Sequence, residues 1–153
     1  MNILELKVPP LLLFFVAAAL MWCLSHYWQW ELASSQVVHV ASALLFMIGV
    51  IIALAGVYAF KKQKTTVNPT TPEKATSLVT TGVYRFTRNP MYAGFLFWLL
   101  GLAIYFSSVA ALLGPVLFVL YMNEFQIKPE ERALSAKFGQ EFTCYTQEVR
   151  RWL

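Results

Sequence analysis

Between Met91 and Met122 the chain carries no charged residue, and this run of thirty-two constrains the fold more than any other feature. A helix crosses the hydrocarbon core of a bilayer with about 20 apolar residues. Thirty-two is too long for one crossing and short for two generous ones. The economical solution is a tight hairpin of two short helices, with Ser107–Ser108 midway and a bend marked by Gly114–Pro115. A single tilted, kinked helix is the alternative. Two further apolar stretches, Val8 to about Trp28 and Val37 to Phe60, are also long enough to cross. Hydrophobic residues make up 58% of the chain and charged ones 13%, against roughly half and a quarter in a soluble domain. The expectation is an all-α integral membrane helical bundle of about four transmembrane helices in one domain, 1–153.

Charge placement gives the orientation. Residues 61–89 carry six Lys and Arg, and the tail beyond 123 carries five. The loop 29–36 and the Ser107–Ser108 turn carry none. The positive-inside rule then puts both termini and residues 61–89 in the cytoplasm. The net charge of +4 reports topology and not nucleic-acid binding. The first apolar run continues past Ala17–Ala19 into Met21, Trp22 and Cys23, so it reads as an uncleaved span and not a signal peptide. Trp22, Tyr27, Trp28 and Trp30 gather like an interfacial aromatic belt. His26 lies in that belt and His39 opens the second span; both read as interfacial or packing residues. Cys23 and Cys144 read as free thiols, and no metal-ligand spacing exists. Gly49–Gly56 and Gly94–Gly101, each pair seven apart, would let helices approach closely within or between chains.

Residues 65–89 are polar, but Leu78, Val79, Val83, Tyr84 and Phe86 need burial, so a segment lying along the membrane surface is expected. From Pro129 to Trp152 the spacing predicts a helix. Leu134, Phe138, Phe142, Tyr145, Val149 and Trp152 form an amphipathic stripe that Gly139 can interrupt. This is the cytoplasmic amphipathic C-terminal helix.

Two constellations carry chemistry. Asn89–Pro90 is a favoured helix start, with Asn as N-cap and Pro at the first helical position. The same helix start exposes unpaired N–H groups, and Arg85 and Arg88 add charge beside it. That combination suits a carboxylate or phosphate; simple anchoring to lipid headgroups is the alternative. Glu130 and Glu131 follow Pro129, where a helix dipole favours acids. On a helical wheel Glu131 falls within roughly 30° of the stripe centre and Glu130 near its edge. An inward acid needs a donor: Arg85, Arg88 or the hydroxyls of a ligand. Glu124 is a third acid near this level.

GVYRFTRNPMYAG, followed by PEERALSAKFGQEFTCYTQEVRRWL, resembles the isoprenylcysteine carboxyl methyltransferase family, with phospholipid N-methyltransferases as more distant kin. The resemblance covers about residues 65–153. It implies S-adenosyl-L-methionine as cofactor, bound by the 61–153 core in a cytoplasmic pocket. Tyr84, Asn89, Pro90, Tyr92, Glu130 and Glu131 would line that pocket, with Glu131 and Arg85 in catalytic roles. It further implies a small or lipid-linked acceptor entering from the bilayer, and a bacterial inner-membrane location. One departure is Asn89, where the prenylcysteine enzymes usually carry a histidine; asparagine hydrogen-bonds but does not titrate near neutral pH. A carboxylate acceptor is already ionised at neutral pH, and the chain offers few bases, which favours a carboxylate or a thiolate. Two rivals remain. An NADPH-dependent, sterol-reductase-like enzyme tends to have an acid directly after the glycine of this block, where Phe95 follows Gly94 here. A non-enzymatic membrane scaffold would use the arginines only as anchors.

Overall fold

The computed structural model describes residues 5–27, 35–63 and 76–153. Every regular element among them is helical. Six α-helices run in order: α1 (Pro10–Tyr27), α2 (Ser35–Lys62), α3 (Pro90–Tyr105), α4 (Leu113–Tyr121), α5 (Lys128–Phe138) and α6 (Gln140–Glu148). Short 3-10 turns occupy Gly82–Arg85 and Ala110–Leu112. A π turn, Met122–Ile127, joins α4 to α5 without a break. Trp28, Trp30 and residues 64–75, including Pro69 and Pro72, lie outside the described residues.

The tightest packing is between α2 and α3, and glycine makes it possible. A Cβ on Gly94 would stand 2.7 Å from the carbonyl oxygen of Gly49. Gly56 faces Pro90 and Met91, and Gly101 faces Phe46 and the Ser42 carbonyl. All four glycines of the two seven-residue pairs thus serve one interface inside the chain. The indole of Trp98 crosses it and donates to the Phe46 carbonyl at 3.1 Å. On the other side, α1 brings Phe14 and Met21 to α3 and α4. Phe14 lies 5.7 Å from both Phe95 and Trp98 between ring centres, and Met21 fills the space left by Gly114. Tyr92, Leu99, Phe118, Met122 and Ile127 complete this core.

The outer faces of α1, α2 and α4 are as apolar as the core. Leu44, Ile51, Leu54, Val116 and Leu120 all point away from the protein. A solvated protein rarely exposes so continuous an apolar surface. Residues Gln36–Lys62 and Ala110–Phe138 are long and apolar enough to cross a bilayer; Pro10–His26 and Pro90–Tyr105 are apolar but shorter. The chain is a membrane protein.

Several sequence expectations shift. Residues 91–122 form two helices and not one kinked helix: α3 stops at Tyr105 and the chain reverses at Ser107, whose φ is 50°. Gly114–Pro115 sit in the first turn of α4, directly after the 3-10 turn Ala110–Leu112. The helix α2 runs on through Lys61 and Lys62. Phe86 is not buried but 74% exposed. The amides of both Phe86 and Thr87 turn back to the Val83 carbonyl, and this tight turn gives the inward position to Thr87 instead. The tail is not one helix to Trp152. Gly139, at φ +52°, separates α5 from α6. Beyond Glu148 the backbone becomes extended, with Val149 at φ −120° and ψ 133°. Residues 149–153 fold back as a strap. At the other terminus, the Leu6 amide donates to the Phe125 carbonyl at 3.0 Å and Glu5 pairs with Arg132 at 2.7 Å.

Candidate active site

The start of α3, the π turn, α5 and the strap meet at one end of the bundle. Pro90 opens α3, and the Asn89 carbonyl accepts the Ala93 amide at 2.9 Å. The Asn89 side chain makes no cap hydrogen bond. Its amide nitrogen donates instead to the Arg151 carbonyl at 2.9 Å. The buried Thr87 hydroxyl donates to the same carbonyl at 3.3 Å and accepts the Asn89 amide at 3.2 Å. The Arg88 amide donates to the Arg150 carbonyl at 2.9 Å. The Arg88 guanidinium donates to the carbonyls of Thr146, at 3.2 Å, and of Val149. Three consecutive residues before α3 therefore hold the strap through its backbone.

The two adjacent glutamates have opposite surroundings. Glu131 is enclosed by arginines: Arg88 reaches Oε1 at 2.7 Å, and Arg151 reaches Oε1 at 3.1 Å and Oε2 at 2.5 Å. Glu130 turns toward the bundle. The Tyr92 hydroxyl and the Gln126 amide nitrogen both donate to its Oε1, each at 2.6 Å. Its Oε2 has no protein partner among the described residues. The helical wheel had given the inward place to Glu131. It assumed one helix through Trp152, whereas the stripe residues beyond Gly139 belong to α6 and the strap.

Of the two candidate arginines, Arg88 meets Glu131. Arg85 is exposed on the 3-10 turn and forms no ion pair among the described residues. Glu124, in the π turn, pairs with Lys128 one helical turn away and lies close enough to Arg151 to favour its charge. Tyr84 is buried, 5.3 Å from the Phe60 ring, and its carbonyl accepts the Tyr145 hydroxyl at 2.7 Å. Burial pushes both phenols above their ordinary range, so Tyr145 is a neutral donor. The hydrogen bond to Glu131 raises the Arg151 guanidinium further and holds it charged. Beside the Arg88–Glu131 pair lies an open cleft of about 510 Å³, lined in part by Lys128, Arg132, Ser135 and Thr146.

Five participants were missed by sequence reasoning: Thr87, Asn123, Gln126, Thr146 and Arg151. Two of them, Asn123 and Gln126, offered a signal, as amides directly after the apolar run of α4. Asn123 accepts the Trp152 indole at 2.9 Å. Among the described residues, no three His, Cys, Asp or Glu side chains could share a metal ion.

Residues 37–141 match the phospholipid methyltransferase family. A probable protein-S-isoprenylcysteine O-methyltransferase of Oryza sativa subsp. indica is 38% identical over 79 residues, covering 50% of this chain and 40% of that protein. Protein-S-isoprenylcysteine O-methyltransferase A of Arabidopsis thaliana is 28% identical over 106 residues, covering 69% of this chain and 54% of that one. The chain thus spans about half the length of these methyltransferases. An uncharacterized protein of Haemophilus influenzae is 44% identical over 63 residues, all of its own length and 41% of this chain. No solved structure matches. The match over 37–141 takes in α3, the π turn, both glutamates and Tyr92, and it is more than half of the chain: this protein belongs to the phospholipid methyltransferase family.

Proposed function

We propose that this protein is an integral membrane methyltransferase that uses S-adenosyl-L-methionine and methylates a small or lipid-linked acceptor, through a carboxylate or a thiol. The observation that carries this reading is Glu130. Inside the region shared with the family, its carboxylate is fixed on one oxygen by Tyr92 and Gln126 and keeps the other without a protein partner among the described residues.

The residues fit such a cofactor. A carboxylate oxygen free to accept suits ribose hydroxyls. The Arg88 Nε is buried without a partner among the described residues, a donor left over beside the ion pair. Glu130, Tyr92, Asn89 and Pro90 would bind the cofactor, with Tyr84 behind them. Glu131 would act through Arg88 and Arg151, holding the strap over the start of α3. The catalytic arginine is then Arg88; Arg85, exposed beside Phe86, is assigned to lipid headgroups. When bound, the cofactor supplies an electrophilic sulfonium methyl group. The protein's part is to align the acceptor and exclude water. A carboxylate acceptor needs no base, whereas a thiol must lose a proton. The same reading has four crossings, both termini in the cytoplasm and a bacterial inner membrane as the location.

The test is binding of S-adenosylhomocysteine to the detergent-purified chain by calorimetry. Low-micromolar binding, weakened by Tyr92→Phe, supports the reading. A folded protein that ignores S-adenosylhomocysteine but binds NADPH would replace it with a reductase. Binding of neither leaves a scaffold.

A further inference from the structure

We infer that Gln126, in the π turn Met122–Ile127 and four residues before Glu130, is a positioning residue for Glu130. This rests on the methyltransferase reading above.

Gln126 is 1% exposed. A buried amide in a helix of this apolarity is expensive unless it is hydrogen-bonded. Leucine or methionine would fill the same space at less cost, so packing does not explain it. What the amide does is specific: Nε2 donates at 2.6 Å to the Glu130 oxygen that also receives the Tyr92 hydroxyl. Two donors, one from α3 and one from the π turn, converge on one atom. A carboxylate held this way cannot rotate about its terminal torsion without losing both bonds, so its second oxygen has a fixed direction. Tyr92 alone would leave that torsion loose.

The π turn supports the inference independently. Single π turns inside α-helices are rare and occur frequently at functional sites. This one presents two amides. Gln126 meets Glu130, and Asn123 accepts the Trp152 indole of the strap at 2.9 Å. One turn of helix thus fixes both the carboxylate and the tail that closes beside it. A helix built only to cross a membrane has no use for either amide.

The inference is tested by a double-mutant cycle on the full chain in detergent, read as S-adenosylhomocysteine affinity. Gln126→Met removes the donor and keeps the side chain's length. Its affinity is expected to fall about tenfold, the order of one hydrogen bond to a charged group. In a Glu130→Gln background the acceptor is neutral and its hydrogen bonds weaker, so the same substitution should cost less than about threefold. A structural role predicts equal losses in both backgrounds, and that outcome, or no loss at all, overturns the inference. If Gln126→Met does not fold, Gln126→Asn, polar but one methylene too short to reach, carries the same cycle. Folded wild-type protein that binds no S-adenosylhomocysteine removes the methyltransferase reading and this inference with it. Wild-type binding without coupling removes the inference alone.

Discussion

Asn89 and Arg151 are 62 positions apart, yet the side-chain amide of the first donates to the backbone carbonyl of the second at 2.9 Å. The contact ties the residue before α3 to the strap. It requires a side-chain N–H donor of the right reach, which asparagine supplies. Asn89→Leu should loosen residues 149–153, costing about 1 kcal/mol and speeding their removal by carboxypeptidase. Asn89→His keeps a ring N–H and should restore most of the protection. Equal trimming of the two variants would show that the contact does not hold the strap.

Glu131 pairs with two arginines at once. Side-chain exposures of 13% for Arg88, 19% for Glu131 and 31% for Arg151 place the cluster between buried and surface. Breaking a fully buried pair costs about 3–5 kcal/mol; partial solvation reduces that here to about 2 kcal/mol for Glu131→Gln. Thermal unfolding in detergent checks it. The double variant Glu131→Gln with Arg151→Gln should recover part of the loss, because fewer charges are then stranded. A Glu131→Gln protein as stable as wild type would remove the ion pair from the account of the fold.

Gly94 has no room for a side chain. Gly94→Ala would press a methyl group against the Gly49 carbonyl at 2.7 Å and the Ala53 Cβ at 2.9 Å. The helices must part, which is expected to cost about 2 kcal/mol. Gly94→Ala should lower the unfolding midpoint, and a larger residue there should prevent accumulation in the membrane. An unchanged midpoint would mean that α2 and α3 do not pack this closely.

Tyr92→Phe removes one donor from Glu130 and keeps the ring in the core. The expected result is about tenfold weaker S-adenosylhomocysteine binding with unfolding changed by less than about 1 kcal/mol. A large stability loss with unchanged affinity would make this contact structural.

Much of the scaffold was legible from residue type alone. A charge-free run with serines at its middle gives a hairpin, because apolar helices leave the membrane only where polar residues sit. Small residues seven apart mark a close helix face, and Pro90 and Gly139 mark a start and a break. The site was legible only as a meeting of two segments. Trp152 continues the spacing of the tail stripe by coincidence; no side-chain pattern announces that the backbone leaves the helix at Val149. The strap is held through its carbonyls, which every residue possesses, so Arg88 and Asn89 as its donors could not be read from sequence. The π turn was equally hidden. Its six residues mix polar and apolar without a stripe long enough to show a slip in phase. The exchange of inward position between Glu130 and Glu131 follows from these two omissions.

The unbroken passage from α4 through the π turn into α5 has a mechanical consequence. Leu120, exposed on the apolar surface, and Glu130 stand ten positions apart on one rod. At an α-helical rise the separation would be about 15 Å, and the wider π turn shortens it. No hinge divides them, so the height of the carboxylate above the lipid is set by backbone geometry and not by a pliant loop. On the proposed function, an acceptor with its tail among the lipids would have to bring its reactive group to that height. The rod would then act as a depth gauge, with the length of the acceptor's linker part of what is recognised.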